Sequence, residues 1–239
     1  MKDAALAGTG AALKPPAKAQ PARHERRTQE QRSQEMRTRL LDATIVALDK
    51  YGYAGATISV IVKEAGVSRG AHLHHFESKA ALIEAAADRL MRKIFRRLGD
   101  AAPFDDDPED RLRRLVFALW ERVFLTRDGK VALELLIAAR TDAELARQLS
   151  VLMRRVKDMY AAAARHYFKA KPNTGFSVEE IILLTQWQLR GMMLDAPLME
   201  SPERFRAHLD RWIALMDRFI APRQGVTAPP PRPDWWDAP

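Results

Sequence analysis

The fold is decided by the stretch Thr57–Lys79, which reads TISVIVKEAGVSRGAHLHHFESK. Thr57 is a candidate N-cap for a short helix over residues 58–65, because its hydroxyl can accept a hydrogen bond from a free N–H group of the first turn. Gly66 predicts the end of that helix, since glycine readily adopts the left-handed backbone conformation that reverses the chain. Ser68 can start a second helix at once. Two short helices joined by so tight a turn are typical of a helix-turn-helix.

The second helix of this motif indicates what the motif does. In a helix-turn-helix bound to DNA, the first residues of the second helix contact base edges in the major groove. The residues at those positions are Arg69, Gly70, Ala71 and Leu73. Arg69 is the side chain among them that can make a bidentate contact with guanine, the commonest specific contact. We therefore predict DNA binding.

The positive charge of the chain is concentrated around the same motif. Residues 1–99 contain 18 Lys and Arg against 10 Asp and Glu, whereas residues 100–239 contain 21 of each kind. The net charge of +8 therefore belongs entirely to the N-terminal part. A basic segment beside a neutral one is expected where a polyanion-binding domain is joined to a domain with another role.

Composition narrows the class of protein and its compartment. The chain has 239 residues, of which 47% are hydrophobic, and can bury a sizeable core. It contains no cysteine, which excludes disulfides and thiolate metal sites and is compatible with a reducing cytoplasm. No apolar run approaches the roughly 20 residues that span a bilayer. Residues 4–13 resemble a secretion signal only faintly, so we expect a cytoplasmic protein without a membrane partner.

Helical periodicity continues along most of the chain after residue 33, and no strand pattern exceeds a few residues. We predict an all-α protein of about nine helices. Two capping boxes, TDAE at 141–144 and SVEE at 177–180, predict helix starts in its second half. The predicted segments are a disordered basic arm (1–32), a three-helix helix-turn-helix domain (33–78), a connecting helix (79–98) within a larger helical ligand-binding and dimerisation domain (79–221), and a disordered Pro-rich tail (222–239).

The two terminal segments leave alternatives open. The basic arm could act only as a solubilising tail, or its arginines could contact the minor groove or phosphates of DNA. The tail carries Trp235-Trp236, which could dock on the protein or on a partner.

The segment GVSRGAHLHHFESKAAL, residues 66–82, resembles the signature of the tetracycline-repressor (TetR) family. The resemblance is most specific over residues 36–90, and beyond residue 100 it is mainly one of helical architecture. It implies a homodimeric repressor that leaves a palindromic double-stranded operator when a small, largely apolar effector binds to its second domain. No cofactor and no enzymatic activity are expected.

The resemblance also assigns roles to individual residues of the motif. It implies that base edges lie against Ser59, Arg69, Gly70 and Ala71, and that phosphates are contacted by Thr57, Ser68, His74, His75 and Lys79. For Lys79 there is independent physical support, because it follows a cap at a helix N-terminus, where free N–H groups favour an anion. Two residues depart from the family pattern. Leu73 replaces a common tyrosine, and His72 replaces an apolar core residue.

Candidate ligand and dimer residues lie in the second half of the chain. Aromatic residues at helical spacing and polar residues within apolar helices could line a pocket, although core or surface positions are equally open to them. These candidates are Trp120, Phe124, Glu134, Tyr160, Gln186, Trp187 and Arg190. The last two helices could form a two-fold four-helix bundle between protomers, as the resemblance implies. Its candidate residues are Leu184, Gln188, Met192, Leu209, Trp212 and Met216.

Three other classes of function were weighed against this interpretation. A metal site is not predicted, because only His72 and His75 have a suitable spacing and no acidic or cysteine ligand supports them. An enzyme with an appended DNA-binding domain would need a catalytic motif, and no phosphate-cradling glycine loop, HExxH motif or thiol nucleophile is present. A ligand-independent architectural DNA-binding protein would explain the charge but leaves the neutral helical domain without a role.

Overall fold

The computed structural model describes residues 28–68, 70, 74–101, 110–198 and 201–233. Within these residues the protein is almost entirely helical, which confirms the predicted all-α class. A single antiparallel pair of three-residue strands is present in the described part of the chain. The elements are α1 (Gln29–Gly55), α2 (Ile58–Glu64), α3 (Lys79–Ala101), α4 (Arg111–Leu119), a π-helical turn (Trp120–Phe124), α5 (Arg127–Ala138), α6 (Ala143–Tyr167), β1 (Phe168–Ala170), α7 (Val178–Asp195), a 3₁₀ turn (Ala196–Leu198), α8 (Pro202–Met216) and β2 (Ile220–Pro222).

Helix α1 begins earlier than the periodicity predicts. The hydroxyl of Thr28 accepts a hydrogen bond from the N–H of Gln31 (3.2 Å), and the side chain of Gln31 accepts one from the N–H of Thr28 (2.8 Å). This capping box satisfies two backbone donors that a helix start otherwise leaves free. Residues 28–32, predicted to be part of a disordered arm, are therefore ordered at the start of α1. Residues 1–27 lie outside the described residues.

The start of the predicted helix-turn-helix is confirmed in its backbone. Thr57 caps α2 by accepting a hydrogen bond from the N–H of Val60 (3.3 Å). Gly66 follows the helix with φ of 62°, the left-handed conformation that favours glycine. Arg39 of α1 donates to the carbonyl of Ala65 (2.7 Å) and so occupies an acceptor at the C-terminus of α2. These contacts hold α2 across α1.

Helix α3 packs against α1 on one side and against α5 and α6 on the other. Ser78 caps it by accepting a hydrogen bond from the N–H of Ala81 (3.1 Å). Its apolar residues Leu82, Ile83 and Leu90 are fully buried between α1 on one side and α5 and α6 on the other. The helix extends to Ala101, beyond the predicted end at residue 98.

A tight turn between α4 and α5 depends on a glycine inside a helix. A Cβ atom at Gly129 would stand 2.1 Å from the carbonyl oxygen of Val123, so no other residue fits without moving the backbone. Thr126 caps α5 beside it, accepting a hydrogen bond from the N–H of Gly129 (3.2 Å). This close approach brings the π-helical turn and α5 together at the centre of the second domain.

One of the two predicted capping boxes is confirmed and the other is wrong. Ser177 and Glu180 form the reciprocal pair that starts α7. Helix α6 is capped by Asp142, whose carboxylate accepts from the N–H of Leu145 (2.9 Å). The hydroxyl of Thr141 instead donates to the carbonyl of Ala138, at the end of α5 (3.3 Å). Both residues are possible caps from sequence, and Asp142 takes the role because its second oxygen binds Tyr53, as described below.

The beginning of the Pro-rich tail is docked rather than disordered. Strand β2 pairs antiparallel with β1, and the N–H of Arg223 donates to the carbonyl of Tyr167 (2.8 Å). The guanidinium of Arg111, on α4, donates to the carbonyls of Arg223 (2.7 Å) and Val226 (3.0 Å). The prediction of disorder from residue 222 is therefore wrong as far as Ala228, whose carbonyl accepts a hydrogen bond from His166 Nε2 (2.8 Å). Trp235-Trp236 lies outside the described residues.

Candidate functional site

Most of the described residues that were predicted to contact DNA are exposed. Thr57 and Ser59 are both exposed, at the N-terminus of α2. Ser68 and Gly70 are exposed in the segment that follows α2. A residue that contacts phosphate or base edges must be accessible, so these positions meet that requirement.

The recognition segment is only partly described. Arg69, Ala71, His72 and Leu73 lie outside the described residues, so their predicted roles and the two departures from the family pattern stay as predictions. His74 is exposed and His75 half-buried, just before Phe76, which is buried in the core of the motif. The guanidinium of Arg37 lies 4.6 Å from the centre of the Phe76 ring.

Lys79 has a more enclosed environment than a phosphate contact requires. Its ammonium donates to the carbonyl of Tyr53 (3.1 Å) and lies 4.7 Å from the centre of the Tyr53 ring. Burial lowers the pKa of this ammonium group. The side chain therefore links the start of α3 to the last turn of α1, just before α2, in addition to any contact with DNA.

Tyr53 is the point at which the helix-turn-helix domain is attached to the second domain. Its N–H donates to the carboxylate of Glu134 on α5 (2.7 Å), and its hydroxyl donates to Asp142 at the start of α6 (2.6 Å). Burial, followed by the hydrogen bond to Asp142, raises the pKa of Tyr53 to about 12. The N–H of Leu145, followed by the Tyr53 hydroxyl, lowers the pKa of Asp142. Each partner thus favours a neutral tyrosine bound to an ionised carboxylate.

Glu134 was predicted to line a ligand pocket, and the structure places it at this domain contact instead. The neighbouring Gly52 has φ of 64° and ψ of 180°, a conformation that is essentially restricted to glycine. A Cβ atom there would stand 2.9 Å from the Glu134 carboxylate. Gly52 thus interrupts α1, exposes the N–H of Tyr53 and leaves room for the carboxylate that binds it.

Ion pairs reinforce the same junction. Asp128 on α5 is 3% exposed, and its carboxylate binds Lys93 (2.9 Å) and Arg97 (2.7 Å), both on α3. Next to it in sequence, Arg127 binds Asp49 of α1 (2.9 Å). Because a buried carboxylate is costly without partners, Asp128 fixes α5 against α3.

A cavity of about 60 Å³ lies between α3, the π-helical turn, α5, α6 and α7. Four of the seven predicted pocket residues line it, and most of the remaining wall is apolar. The predicted ones are Phe124, Tyr160, Gln186 and Arg190. A second cavity of about 170 Å³ adjoins it, and Tyr160, Gln186 and Arg190 line both. The structure therefore brings these three polar side chains together.

The two predicted tryptophans lie elsewhere. Trp120 is 4% exposed and stacks on Phe205, with ring centroids 5.5 Å apart, so it is part of the core between α4 and α8. Trp187 is 57% exposed and lines the groove between α7 and α8 rather than the cavity. The spacing of the aromatic residues predicted the helices correctly but could not show which face of each helix meets the cavity.

The outer face of α7 and α8 contains some of the predicted dimer residues. Its groove, with a volume of about 860 Å³, is lined by Leu184, Gln188, Met192 and Trp212 from the predicted set, and also by Trp187. Leu209 and Met216, also predicted for the interface, are only 0% and 3% exposed and pack inside the protomer. The indole N–H of Trp212 donates to Thr185 of the same protomer (3.2 Å). Trp187 is the largest of the exposed apolar side chains described on this face.

Two functional residues were missed from the sequence, Tyr53 and Asp142. The signal for Tyr53 is its position one residue after Gly52 and two before Gly55, since glycines flanking an aromatic residue favour an irregular, contact-making backbone. No local signal identifies Asp142 as its partner, because 89 residues separate the two.

The described residues contain neither a metal cluster nor a membrane span. They include no group of three or more His, Cys, Asp or Glu side chains that could hold a metal ion. None of the helices that they form is both long and apolar enough to cross a bilayer.

Comparison with known proteins agrees with the motif. Residues 40–86 match the family model described as bacterial regulatory proteins, tetR family. The chain is 30% identical over 171 residues to the HTH-type transcriptional regulator CymR of Pseudomonas putida, which covers 70% of this chain and 82% of that protein. It is 41% identical over 83 residues to the HTH-type transcriptional regulator BetI of Stenotrophomonas maltophilia, and this match spans only 40% of that protein's length and 33% of this chain.

A solved structure shares the fold over most of the chain. It is a transcriptional regulator from Saccharomonospora viridis in complex with choline, with a TM-score of 0.60 and 20% identity, and the alignment covers 78% of this chain and 98% of that one. The family model, the relatives and the helix-turn-helix lead to the same conclusion. The chain belongs to the TetR family of DNA-binding transcriptional regulators.

Proposed function

We propose that the protein is a homodimeric, cytoplasmic repressor that leaves a palindromic operator when a small, largely apolar effector enters the cavity between α3, α5, α6 and α7. One observation carries this proposal. Helices α5 and α6 line the cavity through residues such as Leu133 and Leu152, and the same helices hold Tyr53 through Glu134 and Asp142. A ligand that displaces either helix therefore acts directly on the attachment of the helix-turn-helix domain.

The size of the cavity supports a coupling between binding and movement. At about 60 Å³ it is smaller than the roughly 150 Å³ that accommodates a benzene molecule in an engineered protein core. An effector larger than this cavity must separate its walls or extend into the adjoining cavity of about 170 Å³. Glu134 is directly adjacent to Leu133 and Leu135, which line the cavity, so outward movement of α5 changes the position of the carboxylate that binds Tyr53.

Recognition of DNA follows from the exposed motif. Two copies related by a two-fold axis would place their second helices in successive major grooves, roughly 34–36 Å apart. Arg69 reads guanine, and Thr57, Ser68, His74, His75 and Lys79 bind phosphates. The effector favours a state in which this spacing no longer fits, and it can shift the equilibrium only by its difference in affinity for the two states.

The dimer forms through the outer face of α7 and α8. Exposed apolar side chains that would otherwise face water support this assignment. They include Trp187 (57% exposed), Leu194 (50%) and Leu215 (42%). A large exposed apolar patch on a soluble protein marks an interaction surface, and a two-fold interface needs one self-complementary patch.

Selection of bound DNA from a random pool tests the DNA-binding part. A palindrome with half-sites about one helical turn apart is expected, and enrichment of single, unpaired half-sites would contradict dimeric recognition. On the selected DNA, Arg69→Ala should flatten discrimination among operator variants. Lys79→Ala should weaken binding to all of them and reduce the salt slope by about one. The melting temperature of Lys79→Ala must be measured beside it, because Lys79 also binds the carbonyl of Tyr53.

A screen of small molecules tests the effector response. At least one apolar compound should raise the melting temperature of the protein and lower its affinity for the selected DNA. An architectural DNA-binding protein would show neither effect with any compound, and turnover of a compound would indicate an enzyme.

A further inference from the structure

We propose that the effector is an amphipathic monocarboxylate whose carboxylate binds Arg190, Gln186 and Tyr160 while its apolar body fills the cavity beside them. This inference rests on the proposed function, because it names the chemical class of the effector. The other residues that line the 60 Å³ cavity are apolar or glycine, so only these three polar side chains can select the chemical class of the ligand.

The three polar groups lie together in one part of the binding space. Gln186 and Arg190 are four residues apart on α7 and thus lie on the same face of that helix. Tyr160 faces them from α6, and its ring packs against Phe95 with centroids 4.9 Å apart. All three line both the 60 Å³ and the 170 Å³ cavity, so they lie where the two meet.

Arg190 and Tyr160 interact with each other electrostatically, but no hydrogen bond or ion pair within the described residues engages any of the three side chains. The guanidinium of Arg190 makes no ion pair or hydrogen bond there, and the same holds for the amide of Gln186, which is 5% exposed, and for the hydroxyl of Tyr160. Gln186 is buried, and Tyr160 and Arg190 are half-buried, so the polar atoms of all three side chains are open to a ligand that enters the two cavities. The carboxylate that lines the second cavity is already paired. Glu179, which lines the second cavity, binds Arg165 (2.7 Å).

The electrostatics of the cavity select an anion. Burial lowers the pKa of Arg190, and burial raises that of Tyr160 to about 12, so the site holds one cation beside a neutral hydroxyl. An arginine remains protonated even so, and a half-buried cation beside apolar walls is stabilised when a counter-charge reaches it. Lys157 is the other cation lining the second cavity, and it is exposed. A cationic ligand such as choline would therefore meet a like charge.

A carboxylate fits the donors better than a larger anion. The guanidinium fork matches two carboxylate oxygens, and the amide N–H and phenolic O–H can occupy the remaining lone pairs. One fixed positive charge neutralises a monoanion, whereas a dianionic phosphate would keep an uncompensated charge next to apolar walls. Those walls include Met91, Ile94, Phe124, Leu133, Leu152 and Met193.

The test compares acids with neutral amides of the same shape. The full-length protein is titrated calorimetrically with octanoate against octanamide and 4-ethylbenzoate against 4-ethylbenzamide, with choline as the cationic probe. In at least one pair the acid should bind roughly thirtyfold or more tightly than its amide, because the amide leaves the buried charge unpaired. Arg190→Met should abolish this ratio while retaining binding of the amide. The matched control Arg154→Met, at an exposed position of α6, should leave the ratio unchanged.

Each outcome decides between the two levels of the proposal. If amides or choline bind as tightly as the acids and release the selected DNA, the carboxylate assignment is refuted and the effector response stands. An unchanged acid preference in Arg190→Met would also refute the assignment, because the charge would then be read elsewhere. If no compound of either series binds or releases DNA, both the assignment and the proposed effector response are contradicted for this cavity. Melting of Arg190→Met without ligand shows that the variant is folded, and removal of a half-buried charge that makes no ion pair with the described residues should not lower its melting temperature.

Discussion

Replacement of Glu134 by alanine should destabilise the protein by breaking the attachment between its domains. The carboxylate accepts the hydrogen bond from the N–H of Tyr53 at 2.7 Å in a partly buried position. A buried donor left without a partner costs about 1–3 kcal/mol, and partial access of water to Tyr53 points to about 1–2 kcal/mol here. For a chain of this size each kcal/mol lowers the melting temperature by about 2–4 °C. We therefore expect a decrease of roughly 2–8 °C.

Two matched variants separate this hydrogen bond from other effects of the substitution. Glu134→Gln retains an oxygen that can accept the bond but removes its charge, and a neutral bond is about half as strong, so its loss should be about half that of Glu134→Ala or smaller. Lys130→Ala changes an exposed residue one turn earlier on the same helix and should stay within about 0.5 kcal/mol of the parent.

Melting is followed by circular dichroism at one fixed protein concentration, because a dimer melts at a concentration-dependent temperature. If Glu134→Ala has the same melting temperature as the parent, the hydrogen bond that Glu134 accepts from Tyr53 does not stabilise the protein. The same conclusion follows if Glu134→Gln has as low a melting temperature as Glu134→Ala.

Three further predictions follow from packing, titration and the exposed face. Gly129→Ala should lower the free energy of unfolding by about 2 kcal/mol or more, because its Cβ would meet the Val123 carbonyl. Gly99→Ala has open space around it and should stabilise α3 by up to about 1 kcal/mol in the same melting assay. The free energy of unfolding should be constant in the neutral range and fall between about pH 10 and pH 12. Tyr53, Tyr160 and Tyr167 keep their protons in the folded protein to a pKa of about 12, whereas the unfolded chain loses them near 10. An absorbance titration at the phenolate band checks this, and ionisation of all tyrosines near pH 10 would contradict it. Trp187→Asp should shift the protein to monomer in sedimentation velocity and weaken its binding to palindromic DNA. The control Ile137→Asp, at an exposed apolar position of α5, should leave the dimer intact. A dimeric Trp187→Asp would refute the assigned face.

Local spacing was sufficient for the elements that depend on a few adjacent residues. The cap at Thr57, the left-handed turn at Gly66 and the capping box at Ser177 are each decided by side chains within about one turn, and the structure has them where the sequence predicts them. The capping box at Thr28 also involves only adjacent residues, so it could have been predicted from the sequence. Residues 29–35 are all polar and the apolar periodicity begins only at Met36, so periodicity alone does not extend the helix back to this cap.

Helical periodicity determined which residues are buried more reliably than what they are buried against. Trp120 and Phe124 were both predicted to face a cavity, yet only Phe124 does, and Trp120 packs on Phe205, 85 residues away. The same limit applies to Leu209 and Met216, whose apolar seam lies inside the protomer and not on its outer face. A seam predicts burial, and the packing partner depends on how distant helices are arranged.

The sequence by itself determined the helix-turn-helix, its charge, the helical class and the family, because caps, glycines and periodicity act between near neighbours. Only the tertiary structure decided the roles of Glu134, Lys79 and Asp142, which meet at Tyr53 across up to 89 residues of chain. It also decided that Tyr160, Gln186 and Arg190 converge where the two cavities meet. Contacts of this kind depend on which faces of remote helices touch, and that arrangement follows from the packing of the whole core rather than from any short stretch of residues.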